Sequence, residues 1–314
     1  NVSLIATDKS GTLTQNQMTV RAIWVGGQSI SVSGAGYEPV GELDPTPATP
    51  QASQDLHQLL KAALLSNNAR ILPPSLEKPG WSCLGDQTEA ALKVAAMKCG
   101  LEEQQCNEGY PRLHEIPFDA RRKRMSTIHR LPVQEQAHGQ GLIVFVKGAP
   151  REILQLCTQL RVDGQTIPLD ASWRAKIIQA IDEYSSSALR VLALAQRTLP
   201  EPSASRPISS GPTYAIERVE TELTFLGLMA MLDPPRPEVA RAVKNLHQAS
   251  VRLVMITGDY GLTAESLARR VGLLRTSNPI ILTGAELDQL DDFELKALLE
   301  KEVIFARMAP ENKL

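Results

Sequence analysis

The stretch Asp-Lys-Ser-Gly-Thr-Leu-Thr, residues 8–14, directly follows the apolar run Val-Ser-Leu-Ile-Ala-Thr of residues 2–7. Short runs rich in Val, Ile and Thr are typical of buried strands, and Gly11 marks a sharp turn. The pattern therefore predicts that Asp8 ends a parallel strand, at the edge where open α/β sheets bind ligands. A carboxylate there, followed by backbone N–H groups and hydroxyls, can attack a phosphorus atom and hold a phosphoryl group. An aspartate that only starts a turn is the commoner use of Asp-x-x-Gly, so this stretch alone leaves both interpretations open.

Length and composition are those of an ordinary globular protein. A chain of 314 residues usually forms two domains, and 43% hydrophobic residues are enough for their cores. The net charge of −2 gives no general reason to expect nucleic acid as a partner. The four cysteines include no Cys-x-x-Cys pair, which argues against a zinc site and a disulfide framework, and the five histidines lack metal-ligand spacing. The longest apolar run, residues 225–232, is too short to span a bilayer.

The pattern of strands and helices differs between the middle of the chain and its C-terminal part. From residue 238 onward helices alternate with apolar strands, which predicts a parallel, doubly wound sheet. Residues 2–7 have the same strand character, whereas the middle of the chain predicts an α+β domain. The simplest architecture is one α/β domain made of residues 1–16 and 233–314, with a domain of residues 17–232 inserted after the first strand.

Turn signals divide the middle of the chain. Gly26-Gly27 predicts a β-hairpin. Residues 42–54 are rich in Pro and Thr and predict a surface loop, after which Asp55 is predicted to cap a helix. Residues 199–213, rich in Pro and Ser, predict a second exposed loop.

Six stretches carry a resemblance to a known family, and they occur in the family's order. They are residues 8–14, Gly85–Glu89, Lys147–Pro150, Asp233–Arg236, Thr257–Asp259, and Ala306-Arg307 with Pro310 and Lys313. Together they resemble the motifs of P-type cation-transporting ATPases of the P2-like group, members of the haloacid-dehalogenase superfamily. The resemblance implies a haloacid-dehalogenase-like parallel sheet as a phosphorylation domain, incomplete at its C-terminal end, and an inserted α+β nucleotide-binding domain.

The resemblance implies roles for the residues of the phosphorylation domain. Asp8 is expected to be the nucleophile that takes the γ-phosphate of ATP as an aspartyl-phosphate. Thr257 and Lys313 are expected to bind the phosphoryl group, although Lys313 by itself would be interpreted as a surface lysine. Asp8 and the backbone carbonyl of Ser10, a position where the family norm is Thr, are expected to hold Mg²⁺.

The resemblance also implies where ATP binds. Phe118 is expected to stack on adenine and Lys123 to meet the triphosphate. For an isolated match, a core phenylalanine beside a solvated basic strand edge would be the better interpretation. The other expected nucleotide ligands are Glu89, Lys147, Gly148 and Arg190 in the inserted domain, with Thr257, Gly258, Asp259 and Arg307 in the phosphorylation domain.

A pump of this family implies partners outside this chain. The resemblance implies the cytoplasmic domains of an integral membrane protein, with ATP as substrate and a cation carried by membrane helices that this chain lacks. Asp233 and Arg236 are expected at the hinge between the domains. Residues 37–42 resemble calcium-type members, so calcium is the first expectation for the cation.

Two alternatives remain at this point. The family's second aspartate motif, which completes the Mg²⁺ site, should follow Lys313, so the fragment is expected to bind ATP but to be weak or inactive in phosphorylation. A catalytically silent nucleotide-binding module would share that property. A soluble haloacid-dehalogenase-type phosphatase would need an acid in place of Ser10.

Overall fold

The structure is a computed structural model that describes residues 2–136, 140–200 and 214–309. The chain divides into two compact units. The terminal unit contains the N-terminal residues through Gln17, residues 187–189, and the chain from Asp233 onward. The inserted unit contains Met18–Ser186 and Arg190–Leu232.

Strands and helices are numbered in chain order over the described residues. The strands are β1 Leu4–Asp8, β2 Thr19–Val25, β3 Gln28–Val32, β4 Leu43–Asp44, β5 Arg70–Leu72, β6 Ser82–Leu84, β7 Arg112–Asp119, β8 Arg124–Arg130, β9 Gln140–Gly148, β10 Cys157–Val162, β11 Gln165–Pro168, β12 Arg190–Pro200, β13 Leu223–Leu232, β14 Arg252–Ile256, β15 Ile280–Thr283 and β16 Val303–Ala306. The α-helices are α1 Pro50–Leu65, α2 Gln87–Lys98, α3 Glu103–Gly109, α4 Pro150–Leu156, α5 Ala171–Ser186, α6 Ile216–Val219, α7 Val239–Gln248, α8 Gly261–Arg270, α9 Gly284–Leu287 and α10 Asp292–Leu298.

The terminal unit is built on a parallel sheet with the strand order β1-β14-β16-β15. Successive residues of β14 point to opposite faces of this sheet. Leu253 and Met255 pack in a core with residues of α7 and α8, while Val254 packs in a second core with Leu287 of α9 and Leu295 of α10. Helices thus cover both faces, and the predicted α/β class with a doubly wound parallel sheet is confirmed.

The inserted unit is built on a largely antiparallel sheet with the order β4-β3-β2-β13-β12-β9-β8-β7, and β10 joins it in parallel beside β13. One face packs against α1 and α2, and Phe145 of β9 belongs to that core. The neighbouring Val144 and Val146 belong to the core on the other face, with residues of α4 and α5. The predicted α+β character of this part of the chain is confirmed, as is the hairpin at Gly26-Gly27, which joins β2 to β3.

The start of α1 differs from the prediction. The helix begins at Pro50, and the hydroxyl of Thr49 accepts a backbone N–H of the first turn. Thr at the cap and Pro at the first helical position are favoured together, because proline lacks the N–H that would be unpaired there. The prediction that Asp55 caps the helix is therefore wrong. Asp55 lies buried within the helix, with a carboxylate oxygen 2.7 Å from Nε of Arg161.

The second predicted loop lies mostly outside the described residues. Strand β12 runs to Pro200 and so takes in the first residues of the predicted loop at 199–213. Residues 201–213 are outside the described part of the chain.

His129 is a buried titratable group in the core of the inserted unit. Its Nδ1 lies 2.8 Å from the carbonyl oxygen of Tyr110, which requires that Nδ1–H donates to this oxygen. The ring centroid is 5.6 Å from that of Phe145. Burial lowers the pKa of His129 to about 4, and the bond to Tyr110 opposes this only in part.

Stability is therefore expected to fall as the pH is lowered from 6.5 toward 4. The folded-state pKa of His129 lies below the reference value of 6.5, so the fold favours the neutral ring. Neutral His129 contributes about 3 kcal/mol to the free energy of unfolding above pH 6.5. This contribution is lost progressively as the pH falls from 6.5 through about 4. Urea unfolding of wild type and His129→Gln at several pH values measures it. His114→Gln, on an exposed histidine, is the control. Equal slopes for wild type and His129→Gln between pH 4 and 6.5 would contradict the assignment.

Candidate functional site

Each of the two units contains one group of predicted site residues. In the terminal unit, Asp8 ends β1 and Thr257 directly follows β14, the next strand in the sheet. The backbone N–H of Thr257 donates to the carbonyl of Phe305 in β16 (2.8 Å), and Arg307 directly follows that strand. The structure therefore brings Asp8, Thr257 and Arg307 to one edge, the carboxyl ends of the parallel strands, where α/β proteins bind ligands.

A wide turn holds Asp8 at this edge. The Asp8 carboxylate accepts the backbone N–H of Lys9 at 2.7 Å. The turn spans Lys9–Leu13 and is closed by the N–H of Thr14, which donates to the carbonyl of Lys9 at 3.1 Å. Gly11 has φ of 77° within it, a backbone conformation that favours glycine.

Lys9 connects this turn to the loop that follows β14. Its side chain is buried and forms an ion pair with Asp259. The N–H of Asp259 donates to Oγ1 of Thr257 at 3.1 Å, and its carbonyl accepts the N–H of Arg307 at 2.9 Å. Gly258 lies between Thr257 and Asp259. No sequence signal pairs Lys9 with a residue 250 positions away, so this contact was not predicted.

Asp233 and Arg236 bind the segment around Pro234 to the same turn. The Asp233 carboxylate accepts the hydroxyl of Thr14 and, at 3.1 Å, the N–H of Gln17. The Arg236 side chain donates to the carbonyl of Gly11 at 2.7 Å. These hydrogen bonds thus connect the segment around Pro234 to the segment that follows β1.

Of two further residues predicted in the terminal unit, Arg307 lies within the described part of the chain and Lys313 does not. The guanidinium carbon of Arg307 lies 4.9 Å from the ring centroid of Tyr260, a cation–π contact. Lys313 lies outside the described residues, as does Pro310 of its motif.

The expected Mg²⁺ donors can be tested by their chemistry. Asp8 supplies a carboxylate and Ser10 a backbone carbonyl on the exposed part of the turn. Among the described residues, no group of three or more His, Cys, Asp or Glu side chains is arranged to hold a metal. Mg²⁺ is commonly bound by one or two carboxylates together with substrate phosphates and water, so these oxygen donors fit it as part of a shared site.

The inserted unit contains a cavity of about 560 Å³. Its size is that of a small-molecule site. It is lined by all six predicted nucleotide ligands of this unit: Glu89, Phe118, Lys123, Lys147, Gly148 and Arg190. The remaining lining residues are Asp86, Thr88, Met125, Ala149, Pro150, Val191 and Leu192.

A buried ion pair forms part of the cavity wall. Nζ of Lys147 lies 2.7 Å from Oε1 of Glu89 and also donates to the carbonyl of Ser66. The second carboxylate oxygen of Glu89 accepts the N–H of Asn68 at 2.8 Å. Burial lowers the pKa of Lys147, while the Glu89 carboxylate acts in the opposite direction. Both side chains are thus held in one orientation.

The residues that support this ion pair are not among the predicted site residues. Nδ2 of Asn67 donates to the carbonyl of Glu89 at 2.7 Å. Arg112 donates to the carbonyls of Leu65 (2.6 Å) and Asn67 (2.7 Å). The only local signal was the polar triplet at residues 66–68, directly after an apolar helix.

The start of α2 forms the polar rim. The Asp86 carboxylate caps the helix by accepting the N–H groups of Thr88 (2.8 Å) and Glu89 (3.0 Å). Arg190 donates to the hydroxyl of Thr88 at 3.0 Å. The Arg190 side chain is therefore held at the cavity.

Phe118 and Lys123 also line the cavity. Phe118 is 63% exposed, so the interpretation of this residue as part of the core is wrong. Lys123 forms an ion pair of 2.6 Å with Glu152 and holds the pKa of that carboxyl below its usual value. An exposed aromatic face is thus available to a ligand, and the same cavity is lined by a cation that is paired with Glu152.

Gly148 permits a close backbone approach in the cavity wall. A Cβ at this position would lie 2.4 Å from the carbonyl oxygen of Lys123 and 2.6 Å from Cβ of Arg124. The same carbonyl accepts the N–H of Ala149 at 2.9 Å. Any side chain at position 148 would force the Lys123 turn away from β9.

Comparison with known proteins gives two family matches. Residues 55–238 match the family model of the P-type ATPase cytoplasmic domain N. Residues 209–289 match the model of haloacid dehalogenase-like hydrolases.

Within the described residues, no helix combines the length and apolar character needed to cross a membrane.

Curated relatives match the chain along its length. It is 37% identical to the calcium-transporting ATPase of Bacillus subtilis over 99% of this chain and 33% of that protein. It is 36% identical to the cation-transporting ATPase pma1 of Synechocystis over 100% of this chain and 33% of that protein. It is 37% identical to calcium-transporting ATPase 1 of Lactococcus lactis, over 100% of this chain and 31% of that protein. The chain thus spans about a third of the length of the curated relatives it matches.

Proposed function

Because this chain belongs to the P-type ATPases, and its relatives are cation-transporting ATPases, we propose that it binds MgATP and that, within a full-length pump, Asp8 accepts the γ-phosphate. In this proposal the inserted unit is the nucleotide-binding domain and the terminal unit is the phosphorylation domain. The observation that carries the proposal is the cavity of the inserted unit, which gathers all six nucleotide ligands that the motifs predict for that unit.

The cavity offers a chemically suitable place for each part of ATP. The exposed ring of Phe118 can stack on the adenine, since an aromatic face binds a base without being specific for one. The Glu89 carboxylate, oriented by Lys147 and Asn68, can accept a hydrogen bond from the adenine amino group. Lys123 and Arg190 supply positive charge for the phosphates.

Phosphoryl transfer uses the edge of the terminal unit. A carboxylate oxygen of Asp8 attacks the γ-phosphorus, the bond between that phosphorus and the β–γ bridging oxygen breaks, and ADP leaves with the electron pair. Thr257 and Lys313 bind the transferred phosphoryl group, and Lys9 keeps Asp259 in place beside Thr257. When bound to Asp8 and the Ser10 carbonyl, Mg²⁺ supplies positive charge to the phosphate oxygens.

The transported ion and the cell compartment are part of the same proposal. Two of the relatives described above are named calcium-transporting, which supports calcium as the cation. We place the two units on the cytoplasmic side of a full-length membrane pump, where the phosphorylated form drives transport. Asp233 and Arg236, bonded to the Asp8 turn, are its hinge residues.

Calorimetric titration with MgATP tests the proposal. Wild type is expected to bind ATP, and Asp8→Asn is expected to bind it equally well or more tightly. The reason is that the substitution removes a negative charge that opposes the γ-phosphate. Asp292→Asn, on an exposed residue of α10, is the matched control. Absence of ATP binding by wild type, or much weaker binding by Asp8→Asn, would refute this assignment.

A further inference from the structure

Glu220 is a buried carboxylate that lines no part of the cavity. It follows the short helix α6, and its side chain is 1% exposed. Oε1 accepts bonds from Arg122 (2.6 Å) and from the hydroxyl of Ser126 (2.6 Å), while Oε2 accepts Nε of Arg124 (2.6 Å). A buried charge is tolerated when it is paired and its oxygens are hydrogen-bonded, as here.

The two arginine partners of Glu220 belong to residues 119–124, where β7 turns into β8, and we call this segment the basic turn. Besides contacting Glu220, the Arg122 side chain donates to the carbonyl of Pro117 at 2.8 Å, the residue directly before Phe118. Arg124 also donates to the carbonyl of Arg122 at 2.9 Å. One carboxylate therefore contacts the residues on both sides of Lys123, and Arg122 connects it to the residue before Phe118.

The basic turn also forms the cavity wall beside β9. Its Lys123 carbonyl accepts the N–H of Ala149, and the Lys123 residue has a φ of 52°, an uncommon backbone conformation for a side chain-bearing residue. Arg124 lies opposite Gly148 in the β8–β9 pair, and a Cβ at position 148 would lie 2.8 Å from Cα of Arg124. A shift of the basic turn would therefore move Phe118, Lys123 and the Gly148 wall together.

We propose that Glu220 is a positioning residue for nucleotide binding. It acts through Arg122 and Arg124 to hold the basic turn, so that Phe118 and Lys123 stay in the lining of the cavity. This inference rests on the proposed function, because it assumes that the cavity binds ATP. Holding these side chains in place increases ATP affinity, because a preorganised site loses less conformational freedom when the ligand binds.

Substitution of Glu220 by Gln tests the inference with the full chain. Glu220→Gln keeps the shape of the side chain but removes the charge that both arginines contact. ATP affinity, measured by calorimetry, is expected to fall about tenfold. The matched control is Glu222→Gln, two residues away, because Glu222 is 68% exposed and pairs with Arg197 instead. ATP affinity is expected to be unchanged in the control.

A double variant separates positioning from a general loss of structure. If Glu220 acts through Phe118, Glu220→Gln will weaken ATP binding less in a Phe118→Ala background than in wild type. Equal, additive losses in the two backgrounds would overturn the inference. Should Glu220→Gln not fold, Arg122→Lys makes the same test, because lysine keeps the charge but cannot contact Glu220 and the Pro117 carbonyl through two nitrogens.

The outcomes distinguish this inference from the function on which it rests. If wild type does not bind ATP, or Phe118→Ala binds it normally, the assignment of the cavity to ATP fails, and the inference about Glu220 fails with it. If wild type binds ATP and Phe118→Ala weakens binding, while Glu220→Gln and Arg122→Lys both bind normally, only the role of Glu220 fails.

Discussion

Replacing Phe118 with alanine is expected to weaken ATP binding by about 10- to 100-fold. Stacking of a base on an aromatic side chain contributes about 1–3 kcal/mol. Phe118 is 63% exposed at the cavity, so its ring is available to a base and contributes little to the core. The free energy of unfolding is accordingly expected to change little. Calorimetric titration with MgATP measures the affinity, and urea unfolding measures the stability.

An exposed phenylalanine elsewhere provides the control. Phe293, in α10 of the terminal unit, is 81% exposed and lines no part of the cavity. Phe293→Ala is expected to leave ATP affinity unchanged. Equal affinities for wild type and Phe118→Ala would remove the assignment of this cavity to adenine, and the proposed function would then rest on Asp8, Thr257 and Lys313.

Replacing Lys147 with methionine is expected to lower the free energy of unfolding by about 3 kcal/mol. Methionine has a similar length, so the packing volume is largely kept. The variant leaves the Glu89 carboxylate without its cation and the Ser66 carbonyl without the Lys147 donor. Removing one partner of a buried ion pair costs more than the pair contributes, because the remaining charge stays away from water. Urea unfolding at pH 7 measures the change.

Two variants show whether burial of the charge is the cause. In Lys147→Met/Glu89→Gln the uncompensated charge is gone, so part of the lost stability is expected to return. Lys123→Met is the exposed counterpart: its partner is Glu152, its side chain is 57% exposed, and the expected cost is below about 1 kcal/mol. If Lys147→Met cost no more than Lys123→Met, the ion pair at Glu89 would have no special role in the fold.

Local pattern was enough to predict the elements that present the site. The apolar run before Asp8 predicts a strand with Asp8 at its end, and that strand is β1, although β1 lies at the edge of the sheet and is only partly buried. A wrong detail came from two competing local signals, since Thr49-Pro50 is the better helix start and Asp55 is buried beside Arg161.

Contacts between distant residues could not be predicted from the pattern. Lys9 meets Asp259 only because β1 and β14 are neighbours in the parallel sheet. Glu220 meets Arg122 and Arg124 across about a hundred positions of sequence. No periodicity or spacing encodes such a pairing.

The sequence by itself determined the strand and helix types, the fold class and the motifs that imply the family, because hydrophobic periodicity and turn chemistry are local properties. Only the tertiary structure decided that the six predicted ligands of the inserted unit line one cavity and that Phe118 is exposed there. It also decided which buried charges are paired. The physical reason is that burial and ion pairing depend on the order of strands in the sheet, which brings together residues that have no relation in sequence.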